Sequence, residues 1–191
     1  MTLNLPDLEA GDVVFFADES WVSRVIRWFT THKGESETVY SHCGQMINPY
    51  LVGQQNSRVS LDQIGEVIRG RSKRTRMEIW RYDLTLGQQS KIHDHWMKAE
   101  GAPYGVLKIV AHILDGLLGK FGRKERVFFR RLFVTHWHTC SGRVGLAMSE
   151  AFNRPKPFAM LAGRESPDDI HDFVLASDRW KKVWDSGAIE R

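Results

Sequence analysis

Little in this chain offers a quick route to its class. Only two cysteines, Cys43 and Cys140, occur in 191 residues, which excludes a disulfide scaffold, although the two could bridge each other. No apolar run approaches the roughly 20 residues of a membrane-spanning helix. The opening residues, Met-Thr-Leu-Asn-Leu-Pro-Asp-Leu-Glu-Ala, lack a basic n-region and an apolar h-region. The expectation is therefore no secretory signal, a cytoplasmic location and reduced thiols. There is no internal repeat, no low-complexity linker, and neither C-x-x-C nor H-E-x-x-H spacing.

What is present reads as one soluble domain spanning residues 1–191. Hydrophobic content of 42% and charged content of 26% are ordinary for a chain able to bury a sizeable core. Seven Trp and ten Phe make that core, or a groove, rich in aromatics. The net charge of +4 is compatible with anionic partners and identifies none.

The first half reads mainly as strands. Gly11-Asp12 turns into the short buried strand of Val13, Val14, Phe15 and Phe16. Residues 21–31 carry an amphipathic helical stripe of Val22, Val25, Ile26 and Phe29. Strands are predicted at Val39–Ile47, from Tyr50 to Val52 after the Asn48-Pro49 turn, and at Met77–Asp83. Val59-Ser60-Leu61-Asp62 reads as the start of a short helix or turn, and Arg69–Arg76 as a basic loop. Helices dominate the second half: Thr85 to Glu100, Val106 to Leu118, Ser141 to Phe152, and one starting at Ser166-Pro167-Asp168-Asp169. A last strand lies near Trp180–Trp184. Strands followed by helices predict an α+β layer, with helices packed on a mostly antiparallel sheet.

Two residues carry reactive chemistry. Cys140 stands where a helix begins, and the positive end of a helix dipole favours thiolate. His42 lies on a predicted strand, and an imidazole beside a thiol can take its proton and later return it to a leaving group. Cys43, next to His42, should point to the opposite sheet face and read as core. Asp12 reads as a residue holding the strand start. His136, His138 and Cys140 alternate and so invite a metal, but a helix start at Cys140 breaks the alternation. No metal and no cofactor is expected.

The order Gly11-Asp12-Val13-Val14, Ser41-His42, Gly101-Ala102-Pro103-Tyr104, Cys140-Ser141-Gly142 and Ser166-Pro167-Asp168-Asp169 resembles the permuted NlpC/P60 superfamily of papain-like cysteine hydrolases. The likeness, to the YiiX/YebB/LRAT-like branch, runs from about residue 8 to 184. It implies a circularly permuted papain-like fold with the nucleophile at a helix N-terminus and an insertion at about 106–135. It also implies roles: Cys140 as nucleophile, His42 as general base, and Tyr104 beside the nucleophile as a carbonyl-polarising donor. Gln54 falls at the third position, where relatives often carry an acid. An amide there can hold an imidazole tautomer but cannot balance an imidazolium.

The function implied is hydrolysis of an amide bond through a thioester, as a peptidase or amidase, with cell-wall peptides as one substrate class. Two alternatives stay open. Relatives that carry acyl groups on the cysteine, together with the basic and aromatic stretch 117–133, point to a lipid-directed acyl hydrolase or acyltransferase. Gln54 in place of an acid points to a non-catalytic binding module on the same fold. Partners would be a peptide or acyl substrate, with an anionic membrane surface or cell-wall polymer as a further contact. No nucleic-acid motif occurs.

Overall fold

Every residue of Val13–Ala17, strand β1, is buried, because helices or loops cover both faces of the sheet at whose middle it lies. This is seen in a computed structural model that describes residues 7–17, 40–70, 75–105, 138–159, 161–162 and 165–186, with single helical residues at 23, 24, 27, 110, 114 and 115. Most of the predicted helices at 21–31 and 106–118 therefore lies outside the described residues. So do the tip of the basic loop, the basic and aromatic stretch 117–133, the bulk of the 106–135 insertion, and His136.

Strands β2 (His42–Met46), β3 (Leu51–Gln55), β4 (Val59–Gln63), β5 (Arg76–Tyr82) and β6 (Trp180–Asp185) join β1 in one sheet. The order is β4-β3-β2-β1-β5-β6 and every pairing is antiparallel. Helices α1 (Ile64–Gly70), α2 (Leu86–Ala99), α3 (Cys140–Phe152) and α4 (Pro167–Leu175) complete the described elements. The predicted α+β architecture is thus observed. Val59-Ser60-Leu61-Asp62 departs from expectation, forming β4 instead of a helix start. Its Val59 and Leu61 face the larger core while Ser60 and Asp62 face the other way, the period of two that makes a strand. The short helix begins at Ile64.

Strand alternation divides the core in two. Val13, Phe15 and Cys43 face Ile92 and Trp96 of α2 and Val144, Ala147 and Met148 of α3. Val14, Phe16, Met46, Val52 and Ile79 face the other side, where Ile64 closes the layer. Gln45 is fully buried under the two long helices. It accepts from Trp96 Nε1 at 3.0 Å, and its own amide nitrogen lies 3.1 Å from Met148 Sδ. Gly53 admits the Trp96 ring, since a Cβ there would lie 2.5 Å from it. Asp12 holds the entrance to β1 as expected. It accepts from the Glu9 N–H at 2.9 Å and from Nε and Nη2 of Arg81, each at 2.8 Å.

Candidate active site

Cys140 opens α3 because Thr139 caps it. The Thr139 side chain accepts from the Gly142 N–H at 3.2 Å, and its carbonyl receives the Arg143 N–H at 2.9 Å. Ser141 Oγ, donating to the Glu165 carbonyl at 2.6 Å, ties the same turn to the segment before α4. The cap leaves the first N–H groups of the helix, those of Cys140 and Ser141, without an intrahelical acceptor. The sulfur thus sits at the positive end of a 13-residue helix.

Three groups converge on that sulfur. A hydrogen bond from the Cys43 thiol does most to pull the Cys140 thiol well below its ordinary value, against burial; the charge and hydrogen bond of His42 and the Cys43 N–H add to it. Cys43 is pushed the opposite way, first by burial and then by its bond to Cys140. The two thiols are thus pushed in opposite directions, Cys140 down and Cys43 up. Tyr104 also hydrogen-bonds with Cys140. Burial, then the charge on Cys140, push its phenol upward, and the Cys140 N–H donates to its oxygen.

Tyr104 comes from a strap laid along the β3–β4 turn. Val59 N–H donates to the Ala102 carbonyl at 2.9 Å and Gly101 N–H donates to the Val59 carbonyl at 3.0 Å; Tyr104 N–H donates to the Ser57 carbonyl at 3.1 Å, and Gly105 N–H donates to the His138 carbonyl at 3.0 Å. That last bond joins the strap to the residues leading into α3.

The four residues singled out in the sequence are not equally close. Cys140, His42 and Tyr104 interact directly. His42 pairs in register with Phe16, and the two rings lie 5.3 Å apart. Its Nε2 is buried with no hydrogen-bond partner among the described residues. Gln54 pairs with Gly44 and so shares the sheet face of His42, one diagonal step away. Its amide nitrogen donates to Asp62 Oδ2 at 3.1 Å, and Ser60 donates to the same oxygen at 2.7 Å. A carboxylate only accepts, so Asp62 turns the Gln54 carbonyl oxygen away from itself. Cys43 is core, as expected, but it is also the sulfur's first partner. That role was not legible, because it depends on which sheet face α3 packs against. Arg143, buried one helical turn after the cysteine, was not singled out in the sequence either. A cavity of about 330 Å³ lined by Tyr82, Phe152, Arg154 and Trp180 lies at the far end of α3, and none of the four residues lines it.

The fold defines the class first: an α+β protein whose antiparallel sheet is covered by helices. Among solved structures it is similar to the metalloprotein yiiX of Escherichia coli O157:H7, with a TM-score of 0.56 and 17% sequence identity, over 96% of this chain and 100% of that one. No protein-family model matches the sequence, and no curated protein matches it. Among the described residues no three His, Cys, Asp or Glu side chains gather as a metal would require, so these residues do not fit the metal that the neighbour's description implies. Nor is any described helix long and apolar enough to cross a membrane.

Proposed function

We propose that the chain is a cysteine-nucleophile hydrolase of amide bonds, a peptidase or amidase of the permuted papain-like, NlpC/P60 kind. One observation carries the reading: the thiol at the start of α3 is held toward its thiolate while in contact with the His42 imidazole.

The chemistry follows from these groups. Cys140 sulfur attacks the carbonyl carbon, and the carbonyl electron pair moves onto oxygen. The Cys140 N–H and the Tyr104 hydroxyl, held protonated by its surroundings, meet that oxyanion. His42, carrying the proton it took from the Cys140 thiol, gives it to the leaving nitrogen, the C–N bond breaks, and a thioester remains. Water, deprotonated by His42, then attacks the thioester and releases the acid and the thiolate. Gln54, held by Asp62 on the sheet face that His42 shares, is the polar residue of this reading that stands nearest the imidazole along the sheet.

The test is labelling by iodoacetamide near pH 6, where an ordinary thiol is almost wholly protonated. The wild-type chain takes up one label, at Cys140, and Cys140→Ala takes up none, because Cys43 is buried and held protonated. Labelling that persists in Cys140→Ala removes the nucleophile assignment.

A further inference from the structure

Arg143 lies on α3 three residues beyond Cys140, about 4.5 Å further along the helix axis. It is only 8% exposed. Its Nε donates to Gln55 Oε1 at 3.4 Å, and no carboxylate lies within ion-pair distance of it among the described residues. Glu150, two turns on, acts on it only through space and is itself engaged by His95 at 3.1 Å. Gln55 in turn donates to the Pro103 carbonyl at 3.0 Å, one residue before Tyr104. The guanidinium is thus joined to both halves of the site, the nucleophile's helix and the tyrosine strap.

A buried cation without a counter-ion is costly. Apolar residues or a glutamine would serve packing at this position with less penalty. The two terminal nitrogens of a guanidinium form a planar fork that fits a carboxylate with two parallel hydrogen bonds. We propose that Arg143 is the subsite for a carboxylate on the substrate, so that this site takes acyl compounds or peptides bearing an anionic group close to the scissile carbonyl. The assignment rests on Cys140 being the nucleophile.

Two alkylating reagents that differ only in charge test it: N-iodoacetyl-glycine, with a free carboxylate, and its neutral amide. Rates of Cys140 alkylation are measured for wild type, Arg143→Gln and Arg143→Lys, each as a ratio to the rate with the unfolded chain. The wild type reacts with the anionic reagent about tenfold faster than with the neutral one. Arg143→Gln loses most of that preference while retaining its rate with the neutral reagent. Arg143→Lys, which keeps the charge without the fork, falls between. A purely structural role for Arg143 slows both reagents alike and leaves the ratio unchanged; that result overturns the inference. If Arg143→Gln fails to fold, a wild-type ratio near one overturns it equally. Slow alkylation of the wild type by both reagents, no faster than in the unfolded chain, overturns the hydrolase reading itself, whereas fast but charge-blind alkylation overturns only the role of Arg143.

Discussion

A thiol at a helix N-terminus ionises more readily than a free one through the dipole alone. At Cys140 a hydrogen bond from the Cys43 thiol to the sulfur lowers it further. Removing that donor therefore raises the Cys140 thiol toward its ordinary value. In Cys43→Ala, alkylation of Cys140 by iodoacetamide persists, but the midpoint of its pH profile moves up by about one unit, in line with the loss of one hydrogen bond to a charged group. An unchanged midpoint shows that Cys43 is packing alone. The alternation of β2 was legible in the sequence, and Cys43 does face away from the Phe16 side on which the His42 ring lies. What alternation could not reveal is that the helix that Cys140 opens packs on the Cys43 side. Arg143 escaped for a related reason: an arginine in a helix is ordinarily solvated, and only tertiary packing buries it.

At the scale of the element, α3 depends on its first turn. Thr139→Ala removes the acceptor for the Gly142 N–H and costs about 1 kcal/mol of stability, whereas Thr139→Ser keeps the cap. Urea unfolding measures both, and equal midpoints for Ala and Ser remove the cap from the account. The helix starts at Thr85 and Ser166 were legible because a capping box is local: Thr85 with Gln88, and Ser166 with Asp169, satisfy one another within four residues. β4 was not legible. Its run of Val59, Ser60, Leu61 and Asp62 is short, and what makes it a strand is the ladder to β3 rather than any local signal. The strap bearing Tyr104 is held by bonds to Ser57, Val59 and His138, partners scattered along the chain.

Over the whole molecule, a buried charge cluster fastens the β5–β6 side of the sheet to α4. Glu78, 3% exposed, lies within 2.6 Å of Arg76, 2.8 Å of Lys182 and 3.3 Å of His171, and accepts from Trp80 Nε1 at 2.9 Å. Burial opposes its ionisation, but hydrogen bonds from His171, Lys182 and Trp80 prevail and hold the carboxyl below the usual carboxylate range. With the folded pKa depressed, the unfolded chain takes up this proton first as pH falls. The stabilisation is therefore complete above about pH 4.5, the group's ordinary value, and is lost progressively as pH falls below it. Glu78→Gln leaves two cations, Arg76 and Lys182, facing a neutral amide and costs about 3 kcal/mol near neutrality. Its stability also falls less steeply than the wild type's between pH 5 and pH 3 on the order of one protonation. Parallel acid-unfolding curves for the two proteins remove Glu78 from the acid response.

The sequence by itself determined what is local or periodic. The strands of alternating or wholly apolar residues, the capped helices, the Glu9–Asp12 turn before β1 and a cysteine at a helix start all follow from neighbours a few residues apart. Only the tertiary structure decided which groups meet: Cys43 with Cys140 across 97 positions, Asp62 with Gln54 across a hairpin, and Arg143 buried against Gln55 with no acid beside it. Such meetings depend on the face against which a helix packs and on the register between strands. Both are properties of the packed core, and no short stretch of the chain encodes them.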